Sequence, residues 1–209
     1  MRFYYQRLWP VDIKLTQTTK LRRFKLTMNN PKRFSLTAVI IHWVLAVSII
    51  FLFVSSWWML ALPYNEYRYL PFQLHKNIGI TLFFLLLVLL IIRLRRPPEA
   101  IASPEFTPGM HKLAVAGHVA TYVLIFAVCL SGYLSSSFSG WGTTLWWLVE
   151  TPNWGYEDDE LNELFSEIHL WTCWALLAVI IAHVSAAVYH TFRRDGVTDR
   201  MLHLKRQDD

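Results

Sequence analysis

The sequence predicts an all-α protein, a four-helix transmembrane bundle with both termini in the cytoplasm. Three observations carry that expectation. Four apolar segments each come close to the roughly 20 residues that a bilayer-spanning helix needs. Lys and Arg crowd on one side of those segments, and several histidines stand inside or at the ends of them. The chain has 209 residues, 54% of them hydrophobic, which leaves no room for a separate folded soluble domain.

Taken in order, residues 1–33 form a basic arm with no long apolar run, so no cleaved secretory signal is expected there. Pro10 interrupts it, and Met28 is a second candidate start. The membrane domain is expected over residues 34–192. Its first span runs from Thr37 to Leu62 and ends near the pair Trp57 and Trp58. The second runs from Asn77 to Leu94, with His75 at its start and Arg93, Arg95 and Arg96 at its close. Lys112 opens the third, Leu113 to Tyr133; the fourth runs from Ile168 to His190. Residues 193–209 make a second basic tail.

Charge sets the orientation. Eighteen of the twenty Lys and Arg fall on the side of the two termini, leaving Arg68 and Lys76 on the other. By the positive-inside rule, that basic side faces the cytoplasm. The net charge of +5 is therefore a topology signal, and these short tails offer no folded basic surface for nucleic acid. The loop between the third and fourth spans is acidic, with Glu150, Glu157, Asp158, Asp159, Glu160, Glu163 and Glu167. Trp141, Trp146, Trp147, Trp154, Trp171 and Trp174 lie in or near it, as expected of an interfacial aromatic belt in contact with lipid. Cys129 and Cys173 sit within spans, too few for an iron–sulfur ligand set.

The histidines carry the chemistry. His169 and His183 are fourteen residues apart, nearly four turns, so they share a face and stand roughly 21 Å apart along the axis. An imidazole in hydrocarbon is costly and functional by default. Haem held between helices needs two imidazoles at one depth. His42 and His183 both count to roughly 12 Å from the cytoplasmic ends of their spans. His75 and His169 both begin spans on the outer side. The simplest pairing is His42 with His183 and His75 with His169, giving two haems b stacked across the bilayer. His118 lies near the inner depth and rivals His42 as a ligand. His190, on the His183 stripe but nearer the cytoplasm, is expected to meet a propionate or a quinone oxygen. Arg93, Arg95 and Arg194 are candidates to pair with propionates. Interhelical hydrogen bonding alone would account for one such histidine. Zinc wants four ligands converging on one point, for which His169 and His183 stand too far apart.

Four stretches then resemble the bacterial cytochrome b-561 family. They are Ile41-His42-Trp43, Gln73 through Gly79 with His75-Lys76-Asn77, Gly117-His118 through Tyr122, and His183 through His190 to Arg194-Asp195-Gly196 and Arg200-Met201. The resemblance runs from about Phe34 to Leu204, in order.

That resemblance implies a four-helix di-haem b protein of the bacterial inner membrane. It implies His42 and His183 on one haem, His75 and His169 on the other, and ubiquinone exchanging electrons near the cytoplasmic face. One branch of the family oxidises superoxide at the outer face and reduces ubiquinone. Related four-helix cytochromes are membrane subunits of hydrogenases and formate dehydrogenases. Lys76 beside His75 is the candidate guide for superoxide and His190 the candidate quinone contact. The acidic loop suits instead a basic periplasmic electron-transfer protein, because it would repel an anion.

Overall fold

The computed structural model describes residues 34–63, 66–95 and 107–193, together with 195, 197, 198 and 201. The basic arm, most of the second tail, the stretch 96–106 and Arg194 lie outside the described residues.

Four long helices make up the chain: α1 (Leu36–Ala61), α2 (Tyr69–Arg95), α3 (Pro108–Phe138) and α4 (Asp159–Arg193). All four are long and apolar enough to cross a membrane, so the expected all-α transmembrane bundle is what the chain forms. Three of the four starts carry a capping signal. The Ser35 hydroxyl accepts from Ala38 N at 3.3 Å, and Thr107 does the same for Met110 N ahead of Pro108. Asp158 accepts from Leu161 N at 2.9 Å, with Asp159 and Glu160 in the first turn of α4. These groups satisfy amide donors that the first helical turn leaves open. The carboxylates of Asp158, Asp159 and Glu160 also suit the positive end of the α4 dipole.

The helices outrun the spans read from apolarity. α2 begins at Tyr69 and α4 at Asp159, six residues before His75 and ten before His169. The outer histidines therefore sit within their helices and do not begin them. Apolarity marks where a chain crosses hydrocarbon, whereas a capped helix continues through the polar interface, where its backbone bonds are equally well made within the helix.

α3 packs most extensively on α4, and α1 on α2. The buried core is narrow: Leu45 of α1, Leu82, Leu86 and Leu89 of α2, Ile125 of α3 and Leu176 of α4. Elsewhere the apolar side chains point outward, Val47, Val54, Phe84, Val123 and Ile181 among them. That inversion is the solvent requirement of lipid, which receives Val and Phe as readily as a core does. The start of α1 and the end of α4 lie at one end of the bundle, where the Trp43 indole donates to Met201 O at 3.1 Å.

Between α3 and α4 the connecting loop forms a hairpin that the sequence does not signal. β1 (Thr144–Leu145) pairs antiparallel with β2 (Val149–Glu150), Thr144 opposite Glu150 and Leu145 opposite Val149. At its turn Trp146 and Trp147 are left-handed, with φ of 47° and 59°. Bulky residues there cost about 1–2 kcal/mol each, so the turn needs outside support. α2 supplies it: Trp146 N donates to Asn77 Oδ1 at 2.9 Å and its indole to Thr81 Oγ1 at 3.1 Å.

Candidate functional site

The histidines gather at two levels, one at each end of the bundle. At the end shared by the start of α1 and the end of α4, the rings of His42 and His183 stand 6.3 Å apart, tilted by 55°. At the other end, His75 of α2 and His169 of α4 also stand 6.3 Å apart, at 75°. The two pairs that depth counting suggests therefore face each other across the bundle. α4 carries one member of each.

Each pair has its own surroundings. His169 Nδ1–H donates to Val128 O of α3 at 2.9 Å, with Ser131 Oγ at 3.4 Å. That bond fixes the tautomer and leaves Nε2 as the Lewis base, the usual arrangement of a metal-ligating imidazole. Thr172, although close to His169 in sequence, donates to Ile168 O and His169 O of its own helix. A hydroxyl three or four residues after a carbonyl reaches it more easily than it reaches a ring pointing across the bundle. Gly132 of α3 makes room for the ring: a Cβ there would lie 2.9 Å from His169 Cε1 and Nδ1. His75 Nδ1 is buried without a hydrogen-bond partner.

At the His183 level a third imidazole is present. His118 of α3 lies 5.6 Å from His183, ring to ring at 84°, with its Nδ1 2.6 Å from Ala114 O. His42 and His118 thus both reach His183, and the rivalry seen in the sequence is physical. Arg93 closes this level from α2. Its guanidinium lies 4.8 Å over the Phe34 ring, and its buried Nε makes no hydrogen bond. Of the other two candidate propionate partners, Arg95 is exposed at the end of α2 and Arg194 lies outside the described residues.

Further along α4, His190 Nδ1 meets Asp195 Oδ2 at 2.5 Å. Sequence reading placed His190 but gave Asp195 no role. The signal was an acid just beyond the helix end, five residues after the imidazole.

Lys76 projects at the outer level, where its ammonium donates to Trp141 O at 2.9 Å. Gln73 Nε2 donates to Gly142 O at 3.0 Å. Together with Asn77 and Thr81, these residues form a polar edge of α2 that latches the hairpin over the His75 end.

The donor set fits haem. Two imidazoles trans across one metal, with metal–nitrogen bonds of about 2 Å, have ring centres about 6 Å apart. Both observed pairs match that spacing. His42 with His183, and His75 with His169, would each hold a haem, which would supply a one-electron iron couple there. Half-buried Arg93 suits a haem carboxylate.

Comparison with known proteins agrees. A family model described as prokaryotic cytochrome b561 matches residues 33–204. The chain is also 30% identical over 177 residues to cytochrome b561 homolog 2 of Escherichia coli (strain K12), covering 83% of this chain and 93% of that protein. Four apolar helices with histidines paired across them, and this match over most of the length, place the chain in the prokaryotic cytochrome b561 family, haem b electron-transfer proteins that pass several times through the bacterial inner membrane.

Proposed function

We propose that this cytochrome holds two haems b and moves electrons between the periplasmic face and ubiquinone, with superoxide as the donor. The observation that carries the reading is the pair of equal 6.3 Å imidazole spacings. They lie roughly 21 Å apart along α4 at 1.5 Å per residue. In this reading His42 and His183 hold the inner haem and His75 and His169 the outer. His118 lines the inner site without ligating. The His183 end faces the cytoplasm, following the basic flanks of the spans. When bound, haem would supply a one-electron iron couple, and holding it by His42 with His183 and His75 with His169 would suit relaying electrons rather than binding oxygen.

The residues do the rest. Val128 O orients His169 and Gly132 gives it space, so one axial imidazole is held before a cofactor enters. Arg93 sets a fixed positive charge at the inner edge, and the hairpin latched by Gln73, Lys76 and Asn77 limits water at the outer one. The Lys76 ammonium, beside His75, is the cation nearest the outer pair on α2 and the proposed guide for superoxide.

A second reading has its own observation. Glu157, Asp158, Asp159, Glu160, Glu163 and Glu167 are all exposed around the start of α4. That surface repels a small anion and attracts a cationic redox protein. The experiment is stopped-flow reduction of the purified, haem-loaded protein by superoxide, with and without ubiquinone. Fast reduction followed by quinone-dependent reoxidation supports the first reading. Reduction only by a basic soluble cytochrome, lost at high salt, selects the second.

A further inference from the structure

Beyond Arg193 the chain turns back over the His183 end. Asp195 meets His190, Thr191 Oγ1 donates to Thr198 Oγ1 at 3.0 Å, and Met201 O accepts the Trp43 indole proton at 3.1 Å. The returning segment thus ties the last turn of α4 to α1 beside His42. Within it, the Asp195 carboxylate is nearly buried: the side chains of His190 and Asp195 are 13% and 7% exposed. Both carboxylate oxygens are used, Oδ2 on His190 Nδ1 and Oδ1 on Val197 N at 3.2 Å.

A carboxylate so far out of water is costly unless it is paired. Closing a helix end needs no such group, because a glycine or a basic side chain does that at the surface. The arrangement has a definite chemical consequence. An acid on Nδ1 fixes the imidazole's orientation and tautomer, the role that the acid plays beside a general-acid or general-base histidine. His190 lies two turns from His183 on the same stripe, about 10 Å along the axis, at the polar boundary of the bundle. Tyr189 is in edge contact with the His190 ring at 5.5 Å, Arg193 Nη1 donates to the Tyr189 hydroxyl at 2.9 Å, and Thr191 adds a third polar group to that turn.

We propose that Asp195 is the positioning residue of a His190–Asp195 pair that delivers a proton to a quinone carbonyl oxygen at the His183 end. The inference rests on the reading that ubiquinone is reduced there. In the step, the quinone gains two electrons, one at a time, from the inner haem site, and two protons. One carbonyl oxygen forms its O–H bond with the proton leaving His190 Nε2. The other takes a proton from water at the polar boundary. His190 becomes neutral and is reprotonated from the cytoplasm, while Asp195 stays ionised throughout.

The test uses full-length protein with both haems bound and a short-chain ubiquinone as oxidant. Asp195→Asn keeps the shape and removes the charge. It is expected to slow quinone-dependent reoxidation about 10- to 100-fold at saturating quinone, with the KM for quinone and the haem content unchanged. Asp195→Glu is expected to restore most of the rate. Independently of turnover, ¹⁵N NMR of histidine-labelled protein should show His190 protonated at Nδ1, a state lost in Asp195→Ala; His190→Gln identifies the resonance. Wild-type reoxidation rates in Asp195→Asn, or an unchanged His190 tautomer in Asp195→Ala, overturn the proposal while leaving the quinone reading intact. A wild type that ubiquinone leaves fully reduced overturns both.

Discussion

Gly132 lies directly against the ring of His169, so close that a Cβ on it would stand 2.9 Å from two ring atoms. The ring is rigid, and its Nδ1, one of those two atoms, is held by Val128 O at 2.9 Å. It escapes such a contact only by leaving its rotamer or breaking that bond. An overpacked methyl of this kind costs about 1–3 kcal/mol. Gly132→Ala should therefore lower occupancy of the outer haem selectively, from two haems per chain toward one, while the helices remain folded. Pyridine haemochrome content and far-UV circular dichroism on the same sample check both halves.

Ligand assignment is separable by single substitutions. His183→Ala should lose the inner haem and His169→Ala the outer, each leaving about one haem per chain, since a bis-histidine site loses an axial bond in either case. His118→Ala and His190→Ala should keep two haems with a low-spin reduced spectrum. His118 lies 5.6 Å from His183, nearer than His42 at 6.3 Å. An inner haem retained in His42→Ala but lost in His118→Ala would reverse those two assignments.

The hairpin latch has its own signature. Asn77 is fully buried at 0% exposure, and its Oδ1 holds the Trp146 amide at 2.9 Å. Asn77→Ala leaves that amide without its partner, a loss of about 1–3 kcal/mol. Because it falls on the hairpin, it should increase protease cleavage around Trp146–Trp147 from the outer face with little change in helix content. Trp147→Gly should act in the opposite sense. Its φ of 59° is strained for tryptophan and ordinary for glycine, so about 1 kcal/mol is recovered. Limited proteolysis of the two variants side by side measures both signs.

What was legible in the sequence is the part governed by helical repeat and lipid. The fourteen residues between His169 and His183 fix their shared face, and counting from the ends of the spans matches each to its partner. Contacts between segments distant in the chain were not legible. Val128 O reaches His169 across 41 residues, a separation that no helical repeat encodes. The hairpin ladder is two residues long on each strand, and its left-handed turn holds two tryptophans where glycine or asparagine would signal it. Lys76 read as a bare cation because nothing local reveals that a carbonyl 65 residues away accepts from it.

Orientation is an even-numbered choice that one assay decides. With the basic flanks inside, a reporter fused after Glu160 should read as exported and one fused after Asp209 as internal. The reversed result would put the His183 end outside and move the quinone chemistry to the opposite face.

Lys76 is the point on which the donor turns, and its hydrogen bond complicates the obvious experiment. Lys76→Glu removes a cation beside His75, but it also releases Trp141 O from the latch. Gln73→Ala is the control, because it breaks the adjacent bond to Gly142 O without altering charge. If superoxide is drawn in by the ammonium, reduction of the outer haem should slow several-fold in Lys76→Glu, stay near wild type in Gln73→Ala and weaken with salt. Attraction by one cation is screened within roughly 8 Å at physiological ionic strength, so the effect should fade between low and high salt rather than persist. Equal slowing in both variants at every salt concentration would mean that the latch, not the charge, controls the outer site. Faster reduction in Lys76→Glu by a basic cytochrome would move the donor to the acidic surface at the start of α4, where Glu160, Glu163 and Glu167 are already exposed.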